Sequence, residues 1–239
     1  MSYFTNFPQL AYKFGNENTV NLFQNINTYV DLIDAVKDNS AFFNFYQISN
    51  ERPDQVSYKL YDDPSFHWTF YLMNDHIRRS GWPLTESHLL ERALLRYPDT
   101  VITTKSSLVN GFAPGDTVTG LTSGATATII RKYADLGQLV IRYTNDLTGR
   151  DGEEITSGDY AAIVDSYVDE YLSASYYTDG DGNHVDFDPA VGPGSLLTEV
   201  TYYDAMRAEN AKLQEIKVIK PNSISSIASA FEESLTTDP

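Results

Sequence analysis

The sequence contains no cysteine. That excludes a disulfide scaffold, a thiol nucleophile and any cysteine-ligated metal, and it fits folding in a reducing compartment. Long apolar runs are also missing. None approaches the ~20 residues that a membrane helix needs. The first residues, MSYFTNFPQL, lack the basic and then apolar segments of a secretory signal. Positive charge is scarce: 17 Lys and Arg face 33 Asp and Glu, a formal charge of −16. Such a chain repels phosphate backbones and gains nothing from an anionic membrane surface, so neither nucleic acid nor membrane is expected as a partner.

Catalytic and metal-binding signatures are equally thin. His67, His76, His88 and His184 include no pair four residues apart and no HExxH. No G-x-S-x-G elbow occurs. Gly115 and Gly120 have P-loop spacing, but Leu121 stands where the phosphate-binding Lys belongs, ahead of Thr122. Asp179, Asp181, Asn183 and Asp188 resemble the start of an EF-hand loop. His184 and Ala190 occupy the places of its Gly and its bidentate Glu, so a hairpin turn explains them better. Carboxylates are plentiful enough for a glycoside-cleaving pair, yet nothing singles one out. The sequence therefore points to no enzyme activity, no metal and no cofactor.

Aromatic residues are abundant, with 17 Tyr and 12 Phe in 239 residues. Tyr suits both protein interfaces and half-buried β surfaces. Residues 1–15 read as an extended aromatic arm that docks on something. Val20, Phe23, Ile26, Val30, Ile33 and Val36 recur every three or four residues, predicting a helix over 19–37. A strand over Phe45–Ile48 follows. Pro53 suits a first helical position and begins a helix with Val56, Leu60 and Tyr61 on one face. Asp62-Asp63-Pro64-Ser65 is a turn, Phe66 to Met73 a second helix ending at Asn74-Asp75, and Gly81 to Leu84 a short return strand. A further helix runs from Thr85 to about Tyr97.

Residues 106–165 change character. Short β-branched runs such as Thr126–Ile130 and Gln138–Tyr143 alternate with Gly and Asp turns, the pattern of a small barrel or sandwich inserted into another fold. Beyond it, Ala174–Tyr177 and His184–Phe187 flank a Gly/Asn turn as a hairpin. A helix over Leu197–Leu213, a strand over Glu215–Ile219, a stop at Pro221-Asn222 and a helix over Ser223–Leu235 complete the chain.

The middle of the first half resembles a LysM module of the form strand, helix, helix, strand. Tyr46-Gln-Ile48 stands for the first strand, Val56-Ser57 and Tyr61-Asp-Asp63-Pro64 for the first helix and its turn. Trp68 and Asn74 belong to the second helix, and Trp82-Pro-Leu84 to the closing strand. The usual Gly-Asp-Thr opener is replaced by Glu51-Arg-Pro-Asp54.

The wider frame resembles the baseplate wedge protein of contractile-tailed, T4-like phages that carries a LysM-like domain. The residues behind this are Tyr3 to Pro8 with Tyr12, Glu51 to Tyr61, Trp68, Asn74, Trp82-Pro83 and the tail pattern Asn210…Ile216-Lys-Val-Ile219-x-Pro221. The resemblance covers about 1–105 and 165–235. The 106–165 block resembles Gly/Thr-rich β modules of other phage structural proteins.

Together with the β module read above from its β-branched runs and turns, the resemblance implies an α+β fold in four parts. These are an N-terminal arm and helix (1–44), a LysM-like βααβ domain (45–105), an inserted barrel-like β module (106–165) and a C-terminal hairpin, helix, strand and helix (166–239). It implies a virion tail baseplate subunit assembled in the host cytoplasm, in six copies, with no catalysis. Its partners would be the lysozyme-like wedge subunit and the core wedge subunits. Tyr46, Ile48, Val56, Tyr61, Trp68, Asn74 and Trp82 would form the LysM-like core. Tyr3, Phe4, Phe7, Tyr12, Tyr202, Tyr203, Ile227 and Phe231 would form the interface. The alternative is a LysM-type tail protein that binds peptidoglycan.

Overall fold

The computed structural model describes residues 7–13, 15, 19–24, 32–106, 108–143 and 151–237. In chain order, the strands and helices are β1 (Gln9–Tyr12), β2 (Asn21–Gln24), α1 (Leu32–Lys37), β3 (Phe43–Gln47), α2 (Pro53–Tyr61), α3 (Trp68–Met73), α4 (Asp75–Ser80) and α5 (Glu86–Arg96). Then come β4 (Thr100–Thr104), β5 (Thr117–Gly120), β6 (Thr126–Tyr133), β7 (Gln138–Tyr143), β8 (Glu154–Ser157) and β9 (Tyr160–Asp169). Last are β10 (Ala174–Thr178), β11 (His184–Val185), β12 (Thr198–Thr201), α6 (Tyr202–Ala211), β13 (Glu215–Ile219) and α7 (Pro221–Thr237). They form two compact units. One comprises Met1–Thr85 and Asn210–Pro239, the other Glu86–Glu209.

In the first unit, α2 starts as its sequence dictates. Pro53 occupies the first helical position, where a missing N–H costs nothing, and the Arg52 N–H donates to Gln55 Oε1 (2.9 Å). Asp62 ends the helix in the left-handed region at φ 56°. Asp63, rather than Ser65, caps the 3-10 turn Pro64–His67 by accepting from the Ser65 N–H (2.8 Å). β3 pairs antiparallel with β13, with Tyr46 opposite Ile216. One cluster packs Phe7, Ile33, Val36, Trp68 and Met73 against Ile219 and the face of α7 formed by Ile224, Ala228, Phe231 and Leu235. A second packs Ile48, Val56, Phe70 and Ile77 against Ile216 and Val218.

The second unit contains a closed six-stranded barrel in the order β4-β7-β6-β5-β8-β9. Closure leaves no strand edge to aggregate. Its interior is aliphatic, with Ile102, Leu139, Ile141 and Ile155 fully buried among Val118, Ala127, Ile129 and Val164. Gly111 has φ 74°, and a Cβ there would overlap the Tyr160 ring, so only glycine fits. A three-stranded sheet, β11-β10-β12, belongs to the same unit.

The expected inserted β module is present as this barrel, and the expected β10–β11 hairpin pairs as read. Its first strand, Thr100–Thr104, lies ahead of the 106–165 block. Other expectations are corrected. The predicted helix over 19–37 gives way to β2, paired with β1, and to a short α1. Of its six periodic residues Ile33 and Val36 enter the core, Val20 and Phe23 are exposed, and Ile26 and Val30 lie outside the described residues. Cross-strand pairing there outweighs helical spacing. The second helix does end at Met73, where Asn74 turns extended at φ −134°; what the sequence reading lacks is α4, which begins at Asp75. Residues Thr198–Thr201 are a strand on β10 rather than the start of a helix, as their β-branched residues favour. β13 ends at Ile219, ahead of Pro221 as expected, and α7 begins at Pro221, two residues before the expected Ser223.

The LysM-like order also fails at its last member. Trp82-Pro83-Leu84 forms no strand; β13, from the far end of the chain, takes the place beside β3. Proline cannot donate to a ladder, and the main chain of Leu84 is bound instead by a side chain. Its N–H donates to Asn210 Oδ1 (2.8 Å), and Asn210 Nδ2 donates to its carbonyl (2.9 Å).

Candidate assembly surface

The predicted core residues are brought together, and their polar atoms are satisfied. Ile48 and Val56 are buried. Trp68 stacks on Phe231, with ring centroids 5.1 Å apart. The Tyr61 hydroxyl donates to the Ile219 carbonyl (2.9 Å), and burial pushes its pKa up. Trp82 lies against Phe70 and Tyr71 while its indole N–H donates to the Glu51 carbonyl (2.7 Å). Tyr46, Glu51 and Lys59 form a triangle: the Tyr46 hydroxyl donates to Glu51 Oε2 (2.8 Å), and Lys59 Nζ donates to both. The Lys59 ammonium holds the Glu51 carboxyl below its usual range. Asn74 is buried, and its amide bonds the Phe70 carbonyl and both main-chain groups of Lys217. These residues are scaffold. They hold helices α2 to α4 onto the β3–β13 ribbon.

The predicted interface residues divide. Tyr3 and Phe4 lie outside the described residues. Phe7 and Phe231 are only 6% and 4% exposed and pack with Trp68, so they fill the core and present little to a partner. Ile227 lies half-buried beside the same cluster. Tyr202 packs its ring 4.6 Å from Tyr97. Tyr203 donates to Glu86 Oε1 (2.9 Å) and meets Tyr171 edge to face. Tyr12 is 52% exposed.

Tyr12 belongs to an apolar patch whose extent sequence reasoning missed. The β1–β2 ribbon also exposes Leu10, Leu22 and Phe23, with Val20 beside it. The register pairs Leu10 with Phe23 on one face and Ala11 with Leu22 on the other, so both faces carry apolar side chains. A two-stranded ribbon alone is marginal in water, and exposed apolar side chains grouped on it make it a candidate contact surface. Gly15, at φ 51° between the two strands, was the available signal.

The second unit carries most of the acidity. It holds eight Lys and Arg against twenty Asp and Glu, while the first unit holds nine against thirteen. Two of its buried carboxylates, Asp99 and Glu170, are paired with arginines. Arg142 forks onto Asp99 (2.7 and 2.9 Å), Arg131 bonds Glu170, and the Asp99 N–H donates to Glu170 (3.2 Å). This network ties β6 and β7 to the ends of β4 and β9. A cavity of about 370 Å³ lies between the barrel and β10–β12, lined by the Lys105–Asp165 pair (2.5 Å), Tyr177, Phe187 and Glu199. Burial pushes Tyr177 up to about 12 and raises Glu199. No group of three or more His, Asp or Glu able to hold a metal occurs among the described residues.

Comparison with known families gives a match over part of the chain. Residues 4–103 match the family model of base plate wedge protein 53. No curated protein matches the chain. The match supports a phage baseplate wedge protein with a structural role in the tail baseplate. The wedge-protein match takes in the apolar ribbon, the aromatic core through Trp82, α5 and β4 up to Thr103. It stops before the rest of the barrel. The tail pattern from Asn210 to Pro221 lies outside it, although β13 and α7 complete the core of the matched part. No helix among the described residues is long and apolar enough to cross a membrane.

Proposed function

We propose that the chain is a non-enzymatic structural subunit of the baseplate wedge. It binds the lysozyme-like wedge subunit and the core wedge subunits, helps to join neighbouring wedges during assembly in the host cytoplasm, and is present in six copies per baseplate. The observation that carries this reading is the coincidence of the family match with the exposed β1–β2 ribbon. The part of the chain with the wedge-protein pattern also carries an exposed apolar strand pair. The buried aromatic residues around Trp68 hold that part rigid and have no chemical task.

Co-purification with the lysozyme-like and core wedge subunits tests it. The intact chain should be retained, and Leu22→Ser with Phe23→Ser should abolish retention while leaving the fold intact. Loss of binding by neither variant nor wild type under assembly conditions, or no binding at all, contradicts the proposal.

A further inference from the structure

We infer that the outer edge of β3 is a docking edge for an extended strand contributed by another baseplate protein. This rests on the baseplate reading above and names a second, separate contact. The register fixes which way each main-chain group points. The Ile48 N–H donates to the Gln214 carbonyl, and the Lys220 N–H to the Phe42 carbonyl, both at 2.8 Å. With Tyr46 opposite Ile216, the ladder to β13 therefore uses the main chain of Phe42, Asn44, Tyr46 and Ile48. The N–H and C=O groups of Phe43, Phe45 and Gln47 point the other way.

The two edges of this ribbon are treated differently. On β13 the outward groups are covered by side chains: Asn74 bonds both main-chain groups of Lys217, and Tyr61 donates to the Ile219 carbonyl. On β3 the outward groups of Phe43, Phe45 and Gln47 meet no hydrogen-bond partner among the described residues. Among the described residues, neither a charge nor a proline on the strand, FNFYQ, blunts this edge, and Phe45 is 65% exposed at its centre.

Alternating donors and acceptors on every second residue are the complement of an extended main chain, and strand addition uses them in this way. The occupant is not a second copy of this chain. A five-residue strand pair buries well under the ~1,200 Å² at which stand-alone complexes begin, and two chains of charge −16 repel. A segment of a larger partner, held by other contacts as well, fits both facts. An apolar side chain beside Phe45 would cover its ring.

Residue-resolved hydrogen exchange tests this on the free full-length chain and on the chain within purified tails. In the free chain the amides of Asn44 and Tyr46 should be protected and those of Phe43, Phe45 and Gln47 open. In tails those three should slow by at least about tenfold. If the chain is present in tails and the three amides exchange as in the free chain, the inference fails alone. If the chain is absent from tails, the baseplate reading fails and takes the inference with it. Protection that appears on concentrating the free chain would assign the edge to a second copy and overturn the inference.

Phe45→Pro provides an independent check. It removes an outward N–H and leaves the β13 ladder intact, so its melting temperature should match wild type while its incorporation into tails falls about tenfold or more. Wild-type incorporation of that variant would overturn the inference. Asn44→Pro, which removes a ladder N–H, should instead lower the melting temperature.

Discussion

Asn74 and Lys217 are joined twice: the Lys217 N–H donates to Asn74 Oδ1, and Asn74 Nδ2 donates to the Lys217 carbonyl, both at 2.8 Å. One side-chain amide thus stands in for a neighbouring strand along β13, across 143 residues of sequence. Asn210 does the same for Leu84. Two asparagines supply sheet-like bonding where the fold has no strand to offer.

Asn74→Ala should therefore destabilise the first unit by about 2–4 kcal/mol, because it leaves the buried Phe70 carbonyl and the half-buried N–H and carbonyl of Lys217 without their partner. Urea unfolding followed by tryptophan fluorescence measures this unit selectively, since Trp68 and Trp82 are the only tryptophans and both lie in it. Asn74→Asp should be at least as damaging, because a carboxylate would face the two carbonyls that the amide now serves.

The Trp68–Phe231 contact makes α7 part of the core of the matched region. Phe231→Ala should cost about 3–5 kcal/mol in the same fluorescence transition. A smaller effect, under about 1 kcal/mol, would show that the C-terminal helix is dispensable.

Substitutions on the β1–β2 ribbon should separate binding from stability. Leu22 is 63% exposed, and Leu22→Ser should change stability by no more than about 0.5 kcal/mol. Its effect should appear in co-purification with wedge subunits, where retention is lost.

The two units should respond to pH in opposite senses through two glutamates. Lys59 lowers the Glu51 pKa in the folded chain. That contribution is present above the unfolded value of ~4.3 and is lost as pH falls through the folded one. Burial raises the Glu170 pKa, with Arg131 only partly offsetting it. Its contribution is complete below ~4.3 and fades as pH rises through the raised value. Glu51→Gln should flatten the acid loss of the first unit, read by fluorescence. Glu170→Gln should gain on wild type in the second unit as pH rises from ~4, read by hydrogen exchange of the barrel amides.

Much of this fold is legible locally. Pro53 and Asp62 bracket α2, the Glu215–Ile219 run is β13, and the Gly/Thr-rich runs announce a barrel. Long-range pairing is not legible in the same way. The partner of β3 lies some 170 residues downstream, so a nearby strand at Trp82 to Leu84 fits the local pattern and is still absent. Helical spacing across Val20 to Val36 likewise conceals a strand, because spacing records which residues are apolar and not what they face. The same limit hid the ribbon as a surface: Tyr12 can be read as an interface residue, but Leu22 and Phe23 look like core until β2 is seen.

Cryo-electron microscopy of the intact baseplate tests most directly whether the chain is a wedge component. It should place Met1–Thr85 with Asn210–Pro239 in each wedge, with Leu10, Leu22 and Phe23 covered by a neighbouring subunit. A baseplate lacking this chain, or one holding it with that ribbon bare, would contradict the account.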